Sequence, residues 1–331
     1  MWFTQYAVSE AQGLDELEKA YNAERAFKKK RWLRWLPYAA AASILAFVSV
    51  WYFTNDSAQK VKPEITMAAN DIAPGGNRAT LTLADGRSID LSEEQAGIVV
   101  GKERILYEKG SEELVDLEAE EVIPLVLSTP KGGAYQIMLS DGTKVWLNAA
   151  STFKYPSRFD GMERVVEIEG EAYFSVAKDP ERPFKVISRG QQIEVLGTEF
   201  NVSAYADEVD VKTTLVEGSV ELLAGISDKH VSLAPNEQSV LRGTVISKQQ
   251  VNVGPYIAWK NGDFNFDNTP LADMMRQMSR WYGVDVVYKK GVPNERFSGT
   301  MSRDVTLQTV LELLRISGVN YHIQGNNLII E

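Results

Sequence analysis

The sequence has no cysteine and only two histidines in 331 residues. The missing thiol excludes disulfides, thiolate zinc sites and cysteine nucleophiles together. His230 lies in a polar turn region and His322 in an alternating strand, neither with a ligand or triad partner nearby, which leaves them surface or structural roles. Also missing are a glycine-rich phosphate loop, a Gly-x-Ser-x-Gly elbow and a His-Glu-x-x-His helix. No cofactor is expected from this inventory, and no enzyme. Positive charge is scarce as well: 35 Lys and Arg stand against 45 Asp and Glu, a net charge of −10. That balance argues against nucleic-acid binding. The run Lys28-Lys29-Lys30-Arg31 reads as a basic anchor beside a membrane.

What the sequence does have is an uncharged stretch, residues 35–53, long enough for the ~20 residues that cross a hydrocarbon core as a helix. Basic residues crowd before it, while Lys60 and Lys62 are the close ones after it. The bias predicts a single pass through the inner membrane, with the N-terminus cytoplasmic and the C-terminal bulk periplasmic. Lipid contact is then through one helix. The length of the leader and of the apolar run argues against a cleaved signal peptide.

The remaining pattern divides the chain into a short cytoplasmic helical segment (1–34), the span (35–53), a linker (54–73), an N-terminal β repeat region (74–127), a larger β domain (128–255) and an α+β tail (256–331). In the first segment Leu14, Leu17 and Tyr21 share helical spacing. Residues 75–91 and 132–147 repeat one hairpin unit with Asp-Gly at its turn. A two-residue loop would put Leu81 and Leu83 on the opposite face from Ile89 and Leu91. A three-residue loop, Ala84-Asp85-Gly86, pairs Leu81 with Ile89 and keeps the apolar residues together, with Gly86 left-handed. The same arithmetic places Ser140-Asp141-Gly142 at the second turn, so Asp85, Gly86, Asp141 and Gly142 are structural turn residues.

Closely spaced short strands then run to about residue 254, which predicts a mostly-β domain, a twisted sandwich or solenoid-like. In the tail, Thr269 and Pro270 are expected to start a helix whose stripe is Leu271, Met274, Met275, Met278, Trp281 and Tyr282. Leu307, Val310, Leu311 and Leu314 repeat that stripe between further strands, giving two βαβ half-motifs in a small α+β domain. The whole fold class is thus a transmembrane helix, a mostly-β exported domain and an α+β tail. Two acidic groups, Glu118, Glu120 and Glu121, and Asp207, Glu208 and Asp210, lack calcium-loop spacing and read as solvated turns.

At this resolution of detail the chain resembles a known family. GGNRATLTLADGRSIDL, TPKGGAYQIMLSDGTKVWLNAASTFKYP, VEIEGEAYFSVAKD, VLGTEFNVSAY, TTLVEGSV, IAWKNGDFNFDNTPL and RFSGTMSRDVTLQTVLELL together resemble FecR-like anti-sigma factors of the Bacteroidetes type. The β region is similar to the FecR domain, and the tail to the short signalling domain of secretins and TonB-dependent transporters. The resemblance implies a membrane-anchored relay in which a TonB-dependent outer-membrane transporter touches the exported part. The anti-sigma protein then changes its hold on an extracytoplasmic-function sigma factor. A regulatory protease completes the step in many such systems. Strand addition is the contact mode that small α+β sheets offer, with Phe297 and Met301, or Leu328 and Ile330, as candidate contact residues. Family members carry a longer cytoplasmic helical region, of which ELEKAYNAERAFKKK resembles the last part. Sigma contact is therefore expected to be reduced to Leu14, Leu17 and Tyr21.

Two other readings compete. One is an envelope-anchored binding or scaffold module that recognises protein, or glycan through aromatics such as Trp146 and Tyr173. The other is an anchored hydrolase using Glu169 or Glu171.

Overall fold

Burial alternates from Arg164 to Ala172 in Arg164–Ser175, the longest strand among the described residues, 12 residues that serve two sheets in turn. Its first half pairs antiparallel with Ser151–Pro156 and parallel with Phe184–Ser188. Its second half pairs antiparallel with Lys144–Leu147 and Glu199–Ala204. The switch falls at Gly170, where φ is +96° and a Cβ would lie 2.4 Å from the Ser151 Oγ. Only glycine allows that crossing. The two sheets enclose one core that includes Leu81, Leu127, Ile137, Phe153, Phe174, Phe184 and Phe200, with Phe174 and Phe200 stacked 5.0 Å apart. This is a twisted two-sheet sandwich.

The computed structural model describes residues 71–108, 113–117, 121–224 and 229–331. Leu14, Leu17, Tyr21, the 35–53 stretch, most of the linker and residues 118–120 lie outside them. Among the described residues no helix is long and apolar enough to cross a membrane. The longest, Leu271–Tyr282, has 12 residues, about 18 Å at 1.5 Å per residue against a core of about 30 Å. For the described residues the expected fold class is corrected accordingly to a mostly-β body followed by an α+β tail, with no spanning helix among them. The single-pass inner-membrane placement, which rested on that helix, is corrected with it.

In both repeated hairpins a three-residue turn closes the loop. Leu83 N donates to Arg87 O at 2.9 Å and Gly86 N to Leu83 O at 3.0 Å, with Gly86 at φ +86°. Leu81 pairs with Ile89. In the second unit Ile137 pairs with Val145, and Gly142 sits at φ +87°.

The tail consists of β1 (Asp263–Pro270), α1 (Leu271–Tyr282), β2 (Asp285–Tyr288), β3 (Arg296–Ser302), α2 (Leu307–Ile316), β4 (Tyr321–Gln324) and β5 (Asn327–Ile330). Both helical stripes are buried in a second core. The strands around each helix do not form the expected half-motifs, because β1 pairs with β3, while β2 and β4 flank β5 in a separate sheet. Nor does Thr269 cap α1: β1 runs on through Pro270, and the Thr269 hydroxyl instead accepts from Asp267 N at 3.2 Å.

Candidate functional site at the body–tail junction

β3 ends at Ser302, and the next residue carries the junction. Arg303 N donates to Gly262 O at 2.8 Å, which fixes where its side chain starts. The guanidinium lies 3.8 Å from the Trp281 ring centre and 5.2 Å from that of Phe264. Nη1 donates to Trp259 O at 3.2 Å and Nη2 to the Asn148 Oδ1 of the body at 3.0 Å. Only 4% of Arg303 is exposed, and loss of hydration lowers its pKa to about 10.

Asn148 passes this contact on. Its Nδ2 donates to Glu171 Oε2 at 2.7 Å, while Asn201 Nδ2 donates to Glu171 Oε1 at 2.9 Å. Asn201 in turn accepts from the Trp259 Nε1 at 3.2 Å. Glu171 keeps some exposure through a cleft of about 420 Å3. Desolvation is nevertheless its largest influence and raises its pKa, against the two amide hydrogen bonds, which lower it. A buried cation and a desolvated carboxylate are thus joined through one amide.

A second arginine reinforces the docking. Arg280 of α1 stacks 3.5 Å from the Tyr205 ring centre and donates to Glu208 Oε1 at 2.6 Å and Asp207 Oδ1 at 2.7 Å. Its carbonyl accepts from Gly132 N at 2.7 Å. The leading segment of the described chain is also held by the tail: Leu307 N donates to Ile72 O at 2.9 Å, and Gln308 N to Asp71 Oδ1 at 3.0 Å. Gly75 lets this segment pass, since a Cβ there would lie 2.6 Å from Gly132 O and 2.8 Å from the Trp281 ring.

The candidate contact residues divide. Phe297 and Met301 are half-buried on the inner face of β3, against the tail core. Ser298, Gly299 and Thr300 are exposed, and among the described residues β3 pairs only with β1. Leu328 and Ile330 are buried in β5, which is paired on both sides. As an edge for strand addition β5 is therefore corrected: its neighbours occupy both rows of backbone groups.

The other sequence candidates have structural engagements. Asp85 receives Arg87 N at 2.9 Å in its turn. Asp141 receives Thr143 N at 3.0 Å and also the fully buried Arg164, whose Nη1 lies 2.8 Å from Oδ2. Asp207 and Glu208 both accept from Arg280, Asp207 from an exposed turn and Glu208 from a more buried position; Asp210 pairs with Arg242 at 2.6 Å. Trp146 and Tyr173 pack edge to face at 5.7 Å with the Lys260 ammonium over both rings. Glu169 sits opposite Thr152 in one sheet and Glu171 opposite Ser203 in the other. Sequence reasoning missed Arg164, Arg280 and Arg303, for charged residues are ordinarily solvated. The one available signal was their position, each abutting an apolar strand or stripe.

A family model described as FecR protein matches residues 126–221, and one described as FecR, C-terminal matches residues 263–330. Two crystal structures of a protein assigned as an anti-sigma factor from Parabacteroides distasonis ATCC 8503 are similar to this chain. Each is 30% identical with a TM-score of 0.58, over 62% of this chain and 98% of the solved one. No curated protein matches.

Proposed function

Because the chain belongs to the FecR-like family of anti-sigma factors, we propose that it regulates an extracytoplasmic-function sigma factor on a signal received by its tail. The signal giver is the signalling domain of a TonB-dependent outer-membrane transporter. The observation that carries this reading is β3: an exposed strand with one partner among the described residues, followed at once by the buried Arg303 plug. An incoming strand from a similar small domain satisfies the open backbone groups of β3. Phe297 and Met301 hold the strand's inner face.

Sigma contact is assigned to the segment containing Leu14, Leu17 and Tyr21, outside the described residues. Domain limits at 74–127, 128–255 and 256–331 serve as the working division, with a regulatory protease as the agent that ends the signal. The test is binding of the full chain to purified transporter signalling domains. Retention that is lost on placing a charge at β3, Thr300→Lys, supports the reading. Retention unaffected by that change, or none above background with any such domain, refutes it.

A further inference from the structure

A second cavity, of about 280 Å3, shares Trp259 and Arg303 with the cleft. Trp146, Trp259 and Trp281, the only tryptophans among the described residues, all line it. So do two cations, Lys260 and Arg303, and no Asp or Glu, in a chain whose net charge is −10. Glu108, which accepts from Gln136 Nε2 at 3.3 Å, does not itself form part of the wall.

Neither cation has its donors fully used. The Lys260 ammonium has rings as its neighbours, at 4.8 Å from Trp146 and 4.3 Å from Tyr173, and forms no ion pair among the described residues. Arg303 Nε is buried without a hydrogen-bond partner. An ammonium carries three donors and a guanidinium five, so the cavity has positive charge and donor capacity against flat indole walls. Its volume, near the lower limit of about 300 Å3 for ligand sites, suits one ring.

We propose that this cavity binds a small carboxylate carried on a ring, either an aromatic acid or a sugar acid. The ring lies against Trp146 and Trp259, since Trp281 is covered by the Arg303 guanidinium and the Gly75 backbone, and the carboxylate takes the free donors of Lys260, with the Asn77 amide at the rim. Charge-assisted hydrogen bonds of this kind are about twice as strong as neutral ones. The site is independent of strand addition at β3, and its test needs no partner protein.

Calorimetric titration of the full chain with benzoate and with glucuronate, each beside its neutral counterpart, benzyl alcohol or glucose, decides it. At least one acid is expected to bind, with its counterpart about tenfold weaker or more. Benzoate binding identifies an aromatic acid, glucuronate binding a sugar acid. Lys260→Met and, separately, Asn77→Asp are each expected to weaken the acid about tenfold while thermal melting stays native-like. Should Lys260→Met fail to fold, the exposed Asn77→Asp decides alone. The proposal is overturned if neither acid binds below about 10 mM, if the neutral counterpart binds equally well, or if a folded charge variant keeps full affinity.

Discussion

Arg303 couples three parts of the molecule through one side chain, and its removal has a defined cost. Arg303→Met keeps much of the apolar stem against Trp281 but leaves Asn148 Oδ1 and Trp259 O without these donors. A loss of about 2–4 kcal/mol is expected in urea unfolding of the full chain. A change below about 0.5 kcal/mol, the range of an ordinary surface substitution, would remove Arg303 from the junction. Glu171 gives a pH signature. Its pKa is raised by desolvation, so over the interval between the ordinary glutamate value and the raised one the folded chain holds a proton that the unfolded chain has released. Stability contributed by this group therefore falls as pH rises through that interval. Asp210, held low by its hydrogen bond from Arg242, and Asp285, held low by Lys131, act in the opposite sense: their contribution is lost as pH falls. Glu171→Gln should remove the first slope and leave the second, read from urea midpoints across the acid range. An unchanged pH profile would mean that Glu171 is solvated like any surface carboxylate.

At the scale of elements, the hairpin turns were legible because period two is unforgiving. A loop one residue shorter turns Ile89 or Val145 away from the core, so polarity alone selects the three-residue turn. Both helical stripes were legible from their 3.6-residue period. The pairing of the tail strands was not, because the apolar positions of β1, β2, β3 and β4 say which face is buried and nothing about which neighbour each strand joins. The start of α1 was misread for a related reason: Thr-Pro is a frequent helix opening, yet pairing of Thr269 with Phe297 and Pro270 with Arg296 keeps both in the strand. Gly75 offers a test at this scale. In Gly75→Ala the new methyl meets Gly132 O and the Trp281 ring, both held by packing, and a loss of about 1–3 kcal/mol is expected. Wild-type stability in that variant would show that the leading segment sits loosely on the tail.

For the molecule as a whole, body and tail have separate apolar cores joined by arginines, amides and carboxylates. Sequence periodicity finds cores and passes over such a junction, since a buried arginine and a solvated one are the same letter. The arrangement has a mechanical consequence. β3 is followed by Arg303, which reaches Asn148 and through it Glu171, and the tail also grips Asp71 and Ile72 at the leading edge of the described chain. The partner strand proposed for β3 would therefore act on a domain tied both to the sandwich and to residues 71 and 72. The most direct measurement is hydrogen exchange of the full chain with and without a transporter signalling domain that it retains. Slowed exchange centred on residues 296–302 is the predicted result; a complex that protects only the sandwich and leaves those residues unchanged would contradict the account.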